Sequence, residues 1–503
     1  MKLAQPDISI GAIDAGTTSV RFVLFDRRGR PLETASRPLP IDTPQPGWVE
    51  QDPRAIVDAA IDVVHDVLAR PQVDADKVAA IGLANQRETV VVWDRDTGIP
   101  CHPAIVWQDR RTVDRCAALR DDARASGWID RTGLPLDPYF SATKIEWLLD
   151  HVDGLRASAE AGRALFGTVD AWILWNLAGR HATDDTNASR TLLYSLADRR
   201  WDGDLLDLFG IPEACLPRIG QSLSRFGRVR PEVLDGLGSL DIPIAGVLGD
   251  QQASLLGQAI TSPGVGQVTW GTGAFLLAPT GPSRVRSRGG LISTVARTGS
   301  AEGPDDVCYG IEGSVFVAGA AIQWLADLGL LSDPHEAQAL GERAASTEGV
   351  VFVPALTGLG APHWDPDARG LIAGITRGTR REHLVRAGLE AIAFQTHDVV
   401  RAMEADIGSP LDELRVGGGA AGNDLLCQFQ SDILGMPVVR PRLAETTALG
   451  AAFAAGLAVG AWRGLDEIAE LWEADRTFRP KMDASTREAR LEAWRHAVRR
   501  CVG

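Results

Sequence analysis

Apolar runs alternate with short polar turns from the beginning of the chain. Two apolar stretches flank the polar turn at residues 14–19, a pattern that predicts a β-hairpin over residues 8–26. A second pattern of this kind, centred on Gly271-Thr272, covers residues 265–279. The two Gly-Thr turns lie about half a chain length apart, which indicates an internal duplication into two lobes, although such turns between strands are also common by chance.

Strand-like and helix-like patterns then follow one another. This order is typical of an α/β protein whose sheets are covered by helices. Turn-forming residues at 259–264 indicate a boundary, so we predict an N-terminal lobe of residues 1–258 and a C-terminal lobe of residues 259–503. The predicted strands are 78–83, 89–93, 242–248 and 414–416, and the predicted helices are 54–68, 142–150, 250–259, 318–328, 381–406 and 423–434.

Composition excludes several classes of protein. The 503 residues carry 51 Lys and Arg against 66 Asp and Glu, a net charge of −15 that repels nucleic acid and anionic membranes. The apolar stretch 448–462 is too short to span a bilayer and predicts a buried helix. The first residues resemble no signal peptide, and the six cysteines form no C-x-x-C pair. We therefore expect a cytoplasmic protein that binds no nucleic acid and does not insert into membranes.

The first hairpin turn is a candidate phosphate site. The chain has no G-x-x-x-x-G-K-[ST] motif, so backbone N–H groups, hydroxyls, arginine and a metal ion would have to hold a nucleotide. Thr17, Thr18 and Ser19 supply hydroxyls at the turn, and Arg21 follows them. Asp14 could hold a hydrated Mg²⁺, which prefers one or two carboxylates with water and phosphate oxygens. The alternative is an ordinary hairpin with a polar turn.

Two further segments place charged side chains at strand ends. Asp250 follows a predicted strand and opens a predicted helix, where α/β proteins bind ligands, and its carboxylate could accept the proton of an attacking hydroxyl. The alternative is a helix N-cap. Arg87 and Glu88 are neighbours, so on a regular strand they would point to opposite faces. Arg87 and Glu88 can bind the same ligand, one with vicinal hydroxyls, only if they lie on a loop or an irregular strand end. The alternative interpretation of the two residues is a surface ion pair.

The Gly-rich segment 417–423 allows two interpretations. It follows a predicted strand, opens a predicted helix and formally matches G-x-G-x-x-G within a βαβ unit. One interpretation is a dinucleotide-dependent oxidoreductase, with Glu445 as the acid that binds the ribose. The other is a turn that holds the adenosine end of ATP.

Together these segments resemble the FGGY family of carbohydrate kinases along the whole chain, and within it the members that phosphorylate glycerol. The resemblance implies two actin-like (ribonuclease-H-like) ATPase lobes with the active site in an interlobe cleft, and it disfavours the oxidoreductase. The motifs that carry it are PGWVE (46–50), NQRET (85–89), IVWQ (105–108), DPYFS (137–141), TNASR (186–190), GDQQ (249–252), GLGAP (358–362) and FQSDILG (429–435).

The resemblance also implies roles for individual residues in an ATP-dependent transfer of phosphate to glycerol, with Asp250 as general base and Mg²⁺ near Asp14 and Asp250. The implied glycerol contacts are Arg87, Glu88, Tyr139, Asp250 and Gln251, with Trp107 and Phe275 as apolar walls. The implied ATP contacts are Thr17, Thr18, Ser19, Arg21, Thr272, Gly319, Gln323, Gly419 and Asn423. A small, polar triol requires such placed donors and acceptors, because a buried polar group left unpaired costs roughly 1–3 kcal/mol.

Other functions stay open at this point. A sister kinase for another polyol or ketose, such as xylulose or erythritol, would need a roomier pocket than Trp107, Tyr139 and Phe275 suggest. A non-enzymatic, actin-like ATP-binding regulator would need no alcohol site. The resemblance implies a homo-oligomer, a dimer or a tetramer, and no cationic loop typical of control by fructose 1,6-bisphosphate is visible near 236–239. The chain departs from the family pattern at Ala15, Trp270, Ala274, His363, Gly388 and Gly417.

Overall fold

Largely apolar runs form the central strands of two main sheets in the computed structural model, which describes residues 8–120, 122, 127–300, 303–365 and 367–502. The strands are β1 (Ser9–Ala15), β2 (Ser19–Asp26), β3 (Pro31–Pro38), β4 (Glu50–Gln51), β5 (Val78–Asn85), β6 (Val91–Asp94), β7 (Ala104–Ile105), β8 (Ala164–Gly167), β9 (Ala182–Asp184), β10 (Tyr194–Ser195), β11 (Arg200–Trp201), β12 (Arg218–Gly220), β13 (Arg225–Arg228), β14 (Pro243–Gly249), β15 (Val265–Trp270), β16 (Ala274–Gly281), β17 (Ile292–Ser300), β18 (Gly303–Val315), β19 (Val351–Val353), β20 (Leu371–Ala373), β21 (Glu413–Gly417), β22 (Val438–Pro441) and β23 (Ala474–Phe478).

Helices connect and cover these strands. The α-helices are α1 (Pro53–Leu68), α2 (Val113–Arg120), α3 (Trp128–Thr132), α4 (Ser141–His151), α5 (Leu155–Glu160), α6 (Val169–Ala178), α7 (Asp185–Ala188), α8 (Gly203–Phe209), α9 (Asp250–Gly257), α10 (Gly319–Asp327), α11 (Ala337–Gly341), α12 (Arg381–Ile407), α13 (Asp424–Leu434), α14 (Thr446–Val459), α15 (Leu465–Ala469) and α16 (Ala484–Arg499). Within the described ranges, none of these helices is both long and apolar enough to cross a membrane.

The chain divides into two units, each with its own hydrophobic core. The first unit consists of Met1–Thr261, Thr294–Tyr309 and Glu445–Leu471. The second consists of Ser262–Ser293, Gly310–Ala444 and Trp472–Gly503. Helix α14 therefore belongs to the first unit, although it lies far along the chain.

The main sheet of the first unit has the strand order β13-β14-β5-β1-β2-β3. Strand β5 runs parallel to β1 on one side and to β14 on the other. In this register Ala15 pairs with Asn85, and Asn85 pairs with Gly249. The three strands therefore end at the same level, and the segments that follow them emerge side by side at one edge of the sheet. This is the edge where open α/β sheets bind ligands.

Helices cover both faces of this sheet. Ile81 and Leu83 of β5 join the core formed with α1 and α6. Gly82 faces the other way, because side chains alternate along a strand, and a Cβ there would lie 2.0 Å from the Ala451 oxygen of α14. Gly246 of β14 has φ +73° and meets the same helix, since its Cβ would lie 2.4 Å from the Ala455 nitrogen. Glycines on the sheet thus let α14 approach the backbone closely.

The main sheet of the second unit has the strand order β17-β18-β16-β15-β21-β22-β23. Strand β15 pairs antiparallel with β16 and parallel with β21. Strand β1 likewise pairs antiparallel with β2 and parallel with β5. This shared arrangement around the two hairpins supports the duplication that the Gly-Thr turns indicate.

Most predicted elements are confirmed, with small differences at their ends. Both hairpins form, and the predicted buried helix 448–462 is α14, which ends before Gly460 at φ +82°. The helix predicted over 250–259 ends at Gly257, and Ala259 adopts a left-handed φ of 52°. The strand predicted over 89–93 begins only at Val91, because the chain turns at Glu88 with φ 64°.

Candidate functional site

The turn after β5 buries two adjacent charged residues. Arg87 is 3% exposed and Glu88 1%, and the left-handed backbone of Glu88 turns the chain out of the strand. This is the irregular strand end that a shared ligand requires. Each side chain reaches a distant partner: Arg87 Nε lies 3.0 Å from Asp250 Oδ1, and Glu88 Oε1 accepts from Arg190 Nε at 2.6 Å. The alternative of a surface ion pair is therefore wrong.

Arg190 is a member of this cluster that motif reasoning did not assign. It is fully buried, and its guanidinium carbon lies 5.5 Å from the centre of the Tyr139 ring. The sequence gives only a weak signal for this role, because the TNASR motif does not indicate which distant residue its arginine pairs with. Burial of both charges is tolerable because each is paired at short range.

Asp250 begins helix α9 and is not its N-cap. Gly249 occupies the N-cap position, and the Asp250 carboxylate accepts from the Gln251 backbone N–H at 2.7 Å. The side chain of Asp250 is 31% exposed, whereas its partner Arg87 is almost fully enclosed. The carboxylate is therefore held by a buried cation on one side and accessible on the other, as a group that meets a substrate must be.

The first hairpin contributes a second carboxylate to the same edge of the sheet. Burial and the negative charge of Asp250 raise the pKa of Asp14 to about 7, although Arg21 lowers it. Arg21 forms an ion pair with Glu445 at the start of α14. Glu445 belongs to the first unit, whereas the Gly-rich segment 417–423 belongs to the second.

Aromatic rings adjoin this hairpin. Trp107 Nε1 donates to Thr17 Oγ1 at 2.9 Å, and the Trp107 and Tyr139 rings meet edge to face with centres 5.5 Å apart. The ammonium of the fully buried Lys144 donates to the carbonyl oxygens of Pro138, of Tyr139 at 3.0 Å and of Phe140 at 3.4 Å. Burial lowers the pKa of Lys144 to about 8. The turn that carries Tyr139 is thereby fixed from inside.

The candidate residues of the second unit gather around its hairpin turn. The Thr272 carbonyl accepts from the Ala318 and Ala320 N–H groups at 2.9 and 3.0 Å. A Cβ on Gly319 would lie 2.6 Å from the Gly271 oxygen, so α10 can begin against the turn only with glycine there. The Gly-rich segment reaches the same turn, because a Cβ on Gly418 would lie 2.4 Å from the Trp270 oxygen.

The other candidates of the second unit have local partners. Asn423 caps α13, since its Oδ1 accepts from the Leu426 N–H at 3.0 Å. Gln323 donates to Asp327 at 2.9 Å on the exposed side of α10. Gly419 has open space where a Cβ would be, and Phe275 pairs with Thr269 across the hairpin. The predicted βαβ unit does form, because β21 and β22 are parallel and α13 lies between them in sequence.

The residues singled out in the sequence are divided between the two units. In the first unit they are Asp14, Thr17, Thr18, Ser19, Arg21, Arg87, Glu88, Trp107, Tyr139, Asp250 and Gln251. In the second unit they are Thr272, Phe275, Gly319, Gln323, Gly419 and Asn423.

Comparison with known proteins identifies the class. The N-terminal domain model of the FGGY family of carbohydrate kinases matches residues 9–257, and the C-terminal domain model of the same family matches residues 266–459. The chain therefore belongs to the FGGY family of carbohydrate kinases.

Two curated relatives and one solved structure similar to this chain are glycerol kinases. The chain is 50% identical to a glycerol kinase of Stenotrophomonas maltophilia over 491 residues, covering 97% of each protein. It is 50% identical to a glycerol kinase of Rhizorhabdus wittichii over 500 residues, covering 98% of this chain and 97% of that protein. Its fold is similar to the crystal structure of Plasmodium falciparum glycerol kinase with ADP, with a TM-score of 0.92, 37% identity and 99% coverage of both chains.

Proposed function

We propose that this chain transfers the γ-phosphoryl group of ATP to glycerol, producing sn-glycerol 3-phosphate and ADP. One observation carries the proposal: the half-enclosed carboxylate of Asp250 lies against buried Arg87, next to the buried pair of Glu88 and Arg190. This arrangement offers donors and acceptors to a small polyhydroxylated molecule. The glycerol kinases at 50% identity over nearly the whole chain support the same conclusion.

Glycerol recognition follows from the polarity of the site. We assign hydroxyl contacts to Arg87 as donor, to Glu88 as acceptor, and to Tyr139 and Gln251. Trp107 and Phe275 supply apolar walls for the carbon backbone. A polyol that lacks one hydroxyl would leave one of these enclosed groups unpaired, and this cost makes the site selective.

Asp250 supplies the general base. Its carboxylate accepts the proton of the terminal hydroxyl, the freed oxygen pair forms the bond to the γ-phosphorus, and the bond from that phosphorus to the bridging oxygen breaks so that its electrons leave with ADP. Arg87 orients the carboxylate at 3.0 Å. Positioning and electrostatic stabilisation do most of the work in such transfers.

Binding of ATP divides between two groups of residues. We assign the phosphates to the first hairpin and to the turn of the second, and the nucleoside to α10 and the Gly-rich segment. On this assignment residues 1–258 hold glycerol and the phosphate hairpin, and residues 259–503 hold the nucleotide. The residues assigned to ATP are Thr17, Thr18, Ser19, Arg21, Thr272, Gly319, Gln323, Gly419 and Asn423.

Mg²⁺ fits the carboxylates of the first unit. Asp14 is enclosed near Asp250 and Glu445, and their charges disfavour its ionised form. A cation relieves this repulsion, and Mg²⁺ binds through one or two carboxylates with water and phosphate oxygens. No cluster of three or more metal-ligating side chains occurs in the ranges that the structure describes. Asp14 and Asp250 would hold it, and it would neutralise charge on the β- and γ-phosphates.

The test is ADP release with glycerol and with a panel of other polyols and ketoses, including erythritol and xylulose. We expect glycerol to give the highest kcat/KM. Asp250→Asn should reduce kcat by several orders of magnitude while ADP still binds. Asp52→Asn is the matched control, because Asp52 caps α1 and asparagine also caps helices. Faster turnover with another polyol, or near-normal turnover of Asp250→Asn, would contradict the proposal.

Location and assembly complete the proposal. We place the protein in the cytoplasm, because its substrate ATP is there and its six cysteines lack disulfide-type spacing. We also propose a homo-oligomer, either a dimer or a tetramer. Light scattering of the purified protein measures its mass, and a monomer at working concentration would contradict this part.

A further inference from the structure

The segment 184–187 is a buried polar segment that no step of the proposed reaction uses. Asp184 is fully buried at the start of α7. Its carboxylate accepts from the backbone N–H groups of Thr186 at 2.9 Å and Asn187 at 3.0 Å. It also accepts from the Thr186 and Ser222 hydroxyls at 2.9 and 2.7 Å and from the Asn187 side-chain amide at 2.9 Å. These bonds fix the orientation of the Thr186 and Asn187 side chains.

Thr186 connects this carboxylate to the base. Its hydroxyl donates to Asp184 and accepts from the backbone N–H of Gly249 at 2.9 Å. Gly249 is buried and immediately precedes Asp250. The backbone one residue before the base is therefore held by a hydroxyl whose own direction is set by Asp184.

Asn187 connects the same carboxylate to the glycerol-binding turn. Its amide forms a reciprocal pair with the amide of Asn85, at 2.9 Å in one direction and 3.1 Å in the other. Asn85 ends β5 and also donates to the Gln86 carbonyl at 2.8 Å. Arg87 and Glu88 follow directly, so this pair fixes the start of the turn that carries them.

We propose that Thr186 and Asn187, both oriented by Asp184, are positioning residues that align the two halves of the glycerol site, Thr186 acting on Asp250 and Asn187 acting on Arg87 and Glu88. Adjacent positions in one helical turn thus control different parts of the reaction. This inference rests on the proposed function.

Thr186→Val and Asn187→Leu test the two connections separately. Valine keeps the shape of threonine but leaves the Gly249 N–H without its acceptor, so kcat should fall about 10- to 100-fold, as expected for a reacting group displaced by a fraction of an ångström. Asn187→Leu should mainly raise the KM for glycerol, by about tenfold or more, because the turn that holds the substrate loosens. Thr186→Ser keeps the hydroxyl and should restore kcat to within about twofold.

Thr183→Val is the matched control. Thr183 is as buried as Thr186, but its hydroxyl donates to Asp170 at 2.6 Å instead. A structural effect alone would lower the thermal midpoint of both valine variants and affect their kcat equally, and that result would overturn the assignment of Thr186. If Thr186→Val does not fold, Asn187→Leu decides, and an unchanged glycerol KM overturns the proposal. A wild-type protein that releases no ADP with glycerol overturns the proposed function itself, whereas an active wild type with unaffected variants overturns this inference alone.

Discussion

Replacing Asp14 by asparagine should stabilise the first unit, and the effect should grow with pH. The pKa of Asp14 is raised from its ordinary 3.8 to about 7, mainly by burial and then by the charge of Asp250. The folded state therefore binds this proton more tightly than the unfolded state, so wild-type stability falls as pH rises between about 4 and 7. Above pH 7 the ionised carboxylate costs at most about 4 kcal/mol, and at pH 5 the cost of keeping it protonated is ~2 kcal/mol. Asparagine carries neither cost.

Differential scanning calorimetry of both proteins at pH 5 and pH 8, without metal, measures this effect. The advantage of Asp14→Asn should increase by ~2–3 kcal/mol between the two pH values, which corresponds to roughly 3–5 °C in the midpoint of a unit of this size. At pH 8, Mg²⁺ should raise the wild-type midpoint more than that of the variant, which keeps only the Asp250 carboxylate.

Asp94→Asn provides the control of opposite sign. Hydrogen bonds from the Thr97 backbone and hydroxyl lower the pKa of Asp94, so its contribution to stability is lost only as pH falls below the ordinary range of a carboxyl. Its effect should be the same at pH 5 and pH 8. If the difference between Asp14→Asn and wild type were also independent of pH over this interval, Asp14 would not titrate near neutrality and the reasoning would fail.

Two further substitutions probe the framework of the site. Lys144→Met removes the ammonium that binds three carbonyl oxygens around Tyr139. Because leaving these acceptors unpaired costs roughly 1–3 kcal/mol, the KM for glycerol should rise about tenfold, and an unchanged KM would contradict this role. Gly450→Ala would place a Cβ 1.7 Å from the Ala253 oxygen of α9. The thermal midpoint should therefore fall by an amount equivalent to about 1–3 kcal/mol or more. A loss of stability below about 0.5 kcal/mol would show that α9 and α14 are not this close.

Local patterns predicted the parts of the fold that depend on neighbouring residues. The apolar runs that flank the two Gly-Thr turns predicted both hairpins, and the family resemblance predicted the class of protein. The sequence also indicated that a ligand shared by Arg87 and Glu88 requires a loop or an irregular strand end, and the chain does leave the strand at Glu88 with φ 64°. The lobe boundary at 258 and the roles of the individual site residues stay predictions.

Long-range partners could not be predicted from these patterns. Arg190 pairs with Glu88 across about a hundred positions, and no periodicity signals such a pair. Helix α14 is apolar on all sides, so its pattern predicts burial but not the sheet on which it packs. The glycines that receive it, Gly82 and Gly246, look in sequence like ordinary glycines of two strands.

The position of α14 in the chain has a consequence during synthesis. Strands β1, β5 and β14 leave the ribosome early, but the helix that covers their glycine-lined face is translated only after most of the second unit. For that interval the face has no native cover, and a nascent chain halted before residue 445 would present it to chaperones or to other nascent chains. Completion of the first unit therefore waits for residues 445–471, although most of its residues are synthesised before the second unit.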